Sequence, residues 1–223
     1  MDYLPSLVGG LAAFAVAWLA TGYQYLLYRQ DEYRVPPDGR WQTRARRAGI
    51  AAVAAVAVAL ALRPDHYDTG PALLTAAFAV VLLVMASTDL ERRLLPNRLM
   101  YPAILVALAV AWAWPDRTTA DVLTGAAIAL LLGGILYGGG QLAGVLLRVR
   151  ATPFGMGDVK LILLLGLLLG WPAFLSALLI GVIAAGIPAF AMTLLGRGRQ
   201  VFAYGPFLIL GGLVPLLWPD RFV

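Results

Sequence analysis

The stretch LILLLGLLLGWPAFLSALLIGVIAAGIPAFAMTLL, residues 161–195, decides the architecture. It carries no charge and is interrupted once, at Gly170-Trp171-Pro172. A membrane-spanning helix needs about 20 mostly apolar residues, and Gly followed by Pro marks a turn. The stretch therefore reads as a helical hairpin. Working outward, Val201–Trp218 is a further apolar run. Upstream lie Leu4–Tyr28, Ala48–Leu62, Pro71–Thr88, Leu99–Trp114 and Val122–Leu147, each bounded by a short charged or turn-rich segment. The expectation is an all-α, polytopic membrane protein with about eight transmembrane helices, forming one integral-membrane domain over residues 1–223.

Composition agrees. The chain is 61% hydrophobic and 13% charged, against roughly 45–50% and 25% for soluble domains. A soluble enzyme, a disordered chain and a coiled coil are excluded. Sixteen of the seventeen cationic residues are Arg, and Lys160 is the only lysine. The Arg residues cluster between apolar runs, which is the pattern of cytoplasmic loop anchors and not of a nucleic-acid surface. The segment Arg29–Arg47, with six Arg, three acids, Pro36, Pro37 and Gly39, reads as a short cytoplasmic loop. The first run has no basic segment before it, so it reads as an anchor and not as a cleaved signal. The positive-inside pattern then puts both termini outside. Arg47 and Arg63 bracket the second run as snorkelling residues, and Trp114 and Trp218 read as aromatic anchors at the outer interface. In the glycine-rich fifth run, Gly134 and Gly138 are four apart, the spacing for close helix approach.

There is no cysteine, and His66 is the only histidine. Neither a thiolate or histidine metal site nor a cysteine nucleophile is available, so no metal and no cofactor are expected. Carboxylates remain. Six fall on the expected outer side and three in the first loop, which leaves Asp89, Glu91 and Asp158 at inner helix boundaries. Asp89 ends the third run and has Arg92 and Arg93 at helical spacing, so an interfacial ion pair is one reading. Pro96 then blocks continuation of a helix. Asp158 follows Gly155 and Gly157 at a helix start, where a plain N-cap is one reading. From Asp158 to the Trp171-Pro172 break a helix rises only about 20 Å, less than the hydrocarbon core of about 30 Å, which recesses Asp158 if Trp171 marks the outer interface. Two such carboxylates also suit an aspartyl dyad. Neighbouring carboxyls share one proton; the ionised member activates water and the protonated one hydrogen-bonds a scissile carbonyl.

Gly155-Met-Gly-Asp158-Val-Lys160 resembles the GxGD motif of the type IV prepilin peptidases. Asp89 with Pro96-Asn97 seven and eight residues on is similar to that family's first aspartate and its trailing Pro-Asn. Tyr204-Gly205-Pro206-Phe207-Leu208 resembles the family's segment in the last helix. These ordered matches cover roughly residues 72–217. The resemblance implies a bacterial inner-membrane aspartyl protease that removes the basic leader of prepilins and pseudopilins at the cytoplasmic face, in type IV pilus assembly or secretion. It implies that Asp89 and Asp158 are catalytic, and that Gly155, Gly157, Lys160, Pro96, Asn97, Gly205, Pro206 and Phe207 bind substrate or shape the site. Its expected partners are a prepilin or pseudopilin and the lipid bilayer, with no nucleic acid. Members that also methylate the product carry a cytoplasmic insert with two CxxC pairs. The first loop here is under twenty residues and lacks cysteine, which removes the zinc site and puts a methyltransferase activity in doubt. Glu91 reads as a solvated loop charge, with contact to a basic leader as the sharper option. A transporter or assembly scaffold, and a GxGD protease with other membrane substrates, are the alternatives.

Overall fold

A computed structural model describes residues 3–28, 40–64, 67–146, 155–194 and 203–222. Among these residues there are eight α-helices: α1 (Leu4–Tyr23), α2 (Trp41–Ala61), α3 (Thr69–Arg92), α4 (Asn97–Ala109), α5 (Thr119–Leu146), α6 (Met156–Leu169), α7 (Ala173–Leu194) and α8 (Gly205–Leu217). Short 3-10 turns follow α1 at Gln24–Leu27 and α8 at Pro219–Arg221. The hairpin reading holds: α6 and α7 flank the break, where Gly170 takes a positive φ of 68°, a conformation open to glycine at little cost.

Leu4–Leu27, Thr69–Arg92 and Thr119–Leu142 are long and apolar enough to cross a membrane. Large apolar side chains face outward, including Leu7 and Leu11 of α1, Leu131 and Ile135 of α5 and Ile187 of α7. Exposed apolar surface on this scale suits lipid as the solvent. The protein is an all-α, polytopic membrane protein.

The chain divides into two compact units, the first comprising residues 1–103 and 113–115, the second residues 104–112 and 116–223. In the first, α1, α2 and α3 pack on one another. Gly10 lets α1 approach α2, since a Cβ there would stand 3.0 Å from the Ala55 carbonyl oxygen. In the second, α6 packs on α5, α7 and α8, and α8 on α7. The α5–α6 crossing is made by small residues: a Cβ on Gly125 would lie 2.8 Å from the Gly166 oxygen, and one on Gly166 would lie 2.6 Å from the Ala129 Cβ.

Several sequence expectations are corrected. The close approach on α5 is not at Gly134 and Gly138, where an added Cβ meets nothing within 4 Å among the described residues, but along Gly125, Ala129 and Gly133. Spacing identifies a stripe but not which stripe has a partner. Residues 41–47, read as loop, are helical. Arg47 thus lies within α2; its Nη2 donates to the Trp18 carbonyl at 2.8 Å and its guanidinium lies 4.4 Å over the Trp18 ring. Trp114 is no interfacial anchor either. It is 1% exposed, its Nε1 donates to Thr75 Oγ1 at 3.0 Å, and its ring packs on Phe78. A buried indole needs such a partner. Residues 29–39, 65–66 and 195–202, which include most of the expected first loop and His66, lie outside the described residues.

Candidate functional site

Asp89 belongs to the first unit and Asp158 to the second. Asp89 sits in the last turn of α3, where the side chain is buried at 6% exposure. The helix ends through Arg93, whose N–H donates to the Asp89 carbonyl at 2.8 Å and whose φ of 54° is left-handed. That conformation turns the chain out of the helix. Pro96 is buried, and its carbonyl accepts from Leu99 and Met100 N–H at 3.0 Å each, which starts α4. Asn97 is the exposed first residue of α4. The bend that Pro96 implied is thus real, and it carries Asp89, Pro96 and Asn97 within one short segment.

Glu91 departs from its expectation as a solvated loop charge. It lies on α3, and its side chain is 18% exposed. Its Oε2 accepts from Gln24 Nε2 and from the Tyr28 hydroxyl at 3.2 Å, and its Oε1 lies 3.3 Å from Arg46 Nη2. Tyr28 is itself buried. Gln24, Tyr28 and Arg46 were missed by the sequence reading, because no local pattern links them to a residue more than forty positions away.

In the second unit, Asp158 is in the first turn of α6 and half-buried. Its Oδ2 accepts from the Gly155 N–H at 2.9 Å, and its own N–H donates to the Gly155 carbonyl at 3.0 Å. These bonds satisfy backbone groups left open at a helix start. Gly155 has an ordinary backbone conformation, and an added Cβ would meet the Asp158 carboxylate only at 3.6 Å. Gly157 and Lys160 lie in the same half-buried turns. Gly205 and Pro206 are buried at the start of α8, with Phe207 half-buried beside them.

The α8 start and the α6 start come to one end of the unit. A Cβ on Gly212 would lie 3.3 Å from Leu165 Cδ1, so these two residues meet. The α7–α8 pairing is antiparallel, because Gly181 packs on Leu208 while Gly211 packs on Ala177. With the α6–α7 hairpin, this makes α6 and α8 parallel. Asp158 and Gly205 each precede the Leu165–Gly212 contact by seven residues. At the other end of α6, Arg117 is 8% exposed, donates through Nη1 to the Leu168 carbonyl and pairs with Asp116 at 3.1 Å. Nothing in the sequence singled out that arginine. Among the described residues no three His, Asp or Glu side chains gather into a metal-binding group.

The sequence profile of the Type IV leader peptidase family matches residues 76–190. The chain is 32% identical over 176 residues to a prepilin leader peptidase/N-methyltransferase of Burkholderia pseudomallei (strain 1026b), covering 78% of this chain and 54% of that protein. It is 30% identical over 173 residues to the protein of the same name from Aeromonas hydrophila, covering 77% and 57%. A relative of that name from Stutzerimonas stutzeri is 26% identical over 142 residues, covering 63% and 47%. The chain thus spans about half the length of the curated relatives it matches. No solved structure matches it. The matched segment holds both candidate aspartates and the α3–α4 bend, and the chain belongs to the type IV leader peptidase family.

Proposed function

We propose that the chain is a membrane aspartyl endopeptidase that cleaves the basic leader of type IV prepilin-like proteins at the cytoplasmic face of the bacterial inner membrane. The observation that carries this reading is that the family match over residues 76–190 contains both Asp89 and Asp158, each on a helix end, the first buried and the second half-buried. The two carboxyls share one proton. Water attacks the scissile carbonyl carbon and gives its proton to the ionised member, while the protonated member hydrogen-bonds the carbonyl oxygen. The tetrahedral intermediate collapses, the C–N bond breaks, and the new amine takes a proton from the dyad. Gly155, Gly157, Lys160, Gly205, Pro206 and Phe207 shape the site around Asp158, and Pro96 and Asn97 around Asp89. The whole chain acts as one integral-membrane peptidase, with prepilin and lipid as its partners. With no cysteine and a single histidine in the chain, no zinc site forms, and the reading does not extend to methyl transfer.

The test is incubation of membranes containing the protein with a prepilin, followed by sequencing of the product N-terminus. The leader is expected to be removed. Asp89→Asn and Asp158→Asn should each lower turnover by at least ~10²-fold, since positioned acid–base groups contribute about 10²–10⁴. Substantial turnover by either variant would falsify the dyad. Orientation is tested with single cysteines, which the cysteine-free chain permits. An impermeant thiol reagent on intact cells should label positions near Asp68 and Asp220 and spare positions near Arg40 and Arg197. The reverse pattern overturns a cytoplasmic site.

A further inference from the structure

Glu91 stands where helix energetics oppose it. An acid in the last turn faces the negative end of the helix dipole, and α3 leaves its helix through a left-handed arginine. Helix ends fray when nothing holds them. Here the end is held from outside. Both Glu91 oxygens are engaged, by Gln24, Tyr28 and Arg46. Gln24 and Tyr28 are 2% and 3% exposed, so these bonds are shielded from water. The same Gln24–Tyr28 turn grips the far side of the bend, because Arg98 Nη1 donates to the Leu26 carbonyl at 3.1 Å. Thus one turn fastens both the helix that carries Asp89 in its last turn and the helix that begins at Asn97. The fastening residues 24, 28 and 46 lie outside the segment matched by the family profile. Engagement of both oxygens within the chain also speaks against Glu91 as a contact for a basic leader.

We propose that Glu91 is a positioning residue: with Gln24, Tyr28 and Arg46 it fastens the last turn of α3 and so fixes the Asp89 carboxyl for peptide cleavage. The inference rests on the reading of Asp89 as catalytic. Catalytic groups need placement to a fraction of an ångström, and a displacement of about 1 Å costs on the order of 10²-fold in rate.

Two readouts test it. Thr88, fully buried on the same turn, is replaced by cysteine in the otherwise cysteine-free chain, and its rate of thiol labelling reports opening of the turn. Adding Glu91→Ala should raise that rate at least ~10-fold. In the chain without the reporter, Glu91→Ala should lower kcat by about 10–100-fold and leave KM for prepilin within about 2-fold. The exchange Glu91→Arg with Arg46→Glu should restore most of both. Gln24 Oε1, buried and without a hydrogen-bond partner among the described residues, is there to accept from the new arginine. Unchanged labelling and kcat overturn the proposal. So does a fallen kcat with unchanged labelling, which assigns Glu91 to the substrate instead. Should Glu91→Ala fail to accumulate, Tyr28→Phe takes its place, with a labelling increase of about 2–5-fold expected and no increase overturning the idea. If the parent protein cleaves no prepilin, the proposed function fails, while the labelling ratio still decides whether Glu91 holds the turn.

Discussion

Asp89 and Asp158 stand at opposite kinds of helix end, and the two ends are built in opposite ways. Asp158 opens α6, where unpaired backbone N–H groups and the helix dipole favour an acid. Its partner is Gly155, three residues away. Asp89 closes α3, where neither effect helps. The turn that carries it is held through Glu91 by residues 67 and 63 positions away in the chain. An acid at a helix start can be set in place by a motif of four residues. One at a helix end needs the rest of its unit.

The largest expected effects treat the two ends alike: Asp89→Asn and Asp158→Asn each remove most turnover. A large residual activity in one variant only would break the symmetry of roles on which the dyad depends. The next effects separate the ends. Glu91→Ala should cost one to two orders of magnitude in kcat and loosen its turn, whereas Gly155→Ala should leave the stability of the α6 start within about 0.5 kcal/mol, since the added methyl makes only an ordinary contact. Equal losses of melting midpoint in the two variants would show that the start of α6 is as dependent on its surroundings as the end of α3.

A smaller effect sharpens the same contrast between chain pattern and partner. Gly125→Ala drives a methyl against the backbone of Gly166 and Gly170 at 2.7–2.8 Å, and overpacking of this kind costs about 1–3 kcal/mol. Gly134→Ala, on the same helix and with no neighbour within 4 Å of the added methyl among the described residues, should cost nothing. The melting midpoints of the two variants in detergent check this, and a loss at Gly134 would mean that its face is covered in the membrane.

Much of the fold is legible in the amino-acid sequence. Lipid demands long apolar segments and internally bonded backbones, so charge-free runs, the Gly170-Trp171-Pro172 break and the Pro96 bend announce the helices directly. The helix start at Asp158 is legible for the same reason, because the groups that bond there are neighbours in the chain. Some burial is not. Trp114 reads as an interfacial anchor from its Pro-Asp-Arg117 surroundings, yet Thr75 and Phe78 take it inside. Nor is the placing of Arg117, which donates to the Leu168 carbonyl at the end of α6.

The sequence alone determined which segments become helices, which carboxylates stand at their ends and which chemistry is open to a chain without cysteine and with one histidine. These follow from hydropathy, side-chain chemistry and bonds between near neighbours. Tertiary structure decided which glycine stripe of α5 is used, where Trp114 and Arg117 go, and that Glu91 faces inward to Gln24, Tyr28 and Arg46. A side chain's direction around a helix is fixed by period, but its partner is fixed only when another helix arrives. For that reason the end of α3, bonded across more than sixty residues, could be found only in the folded chain.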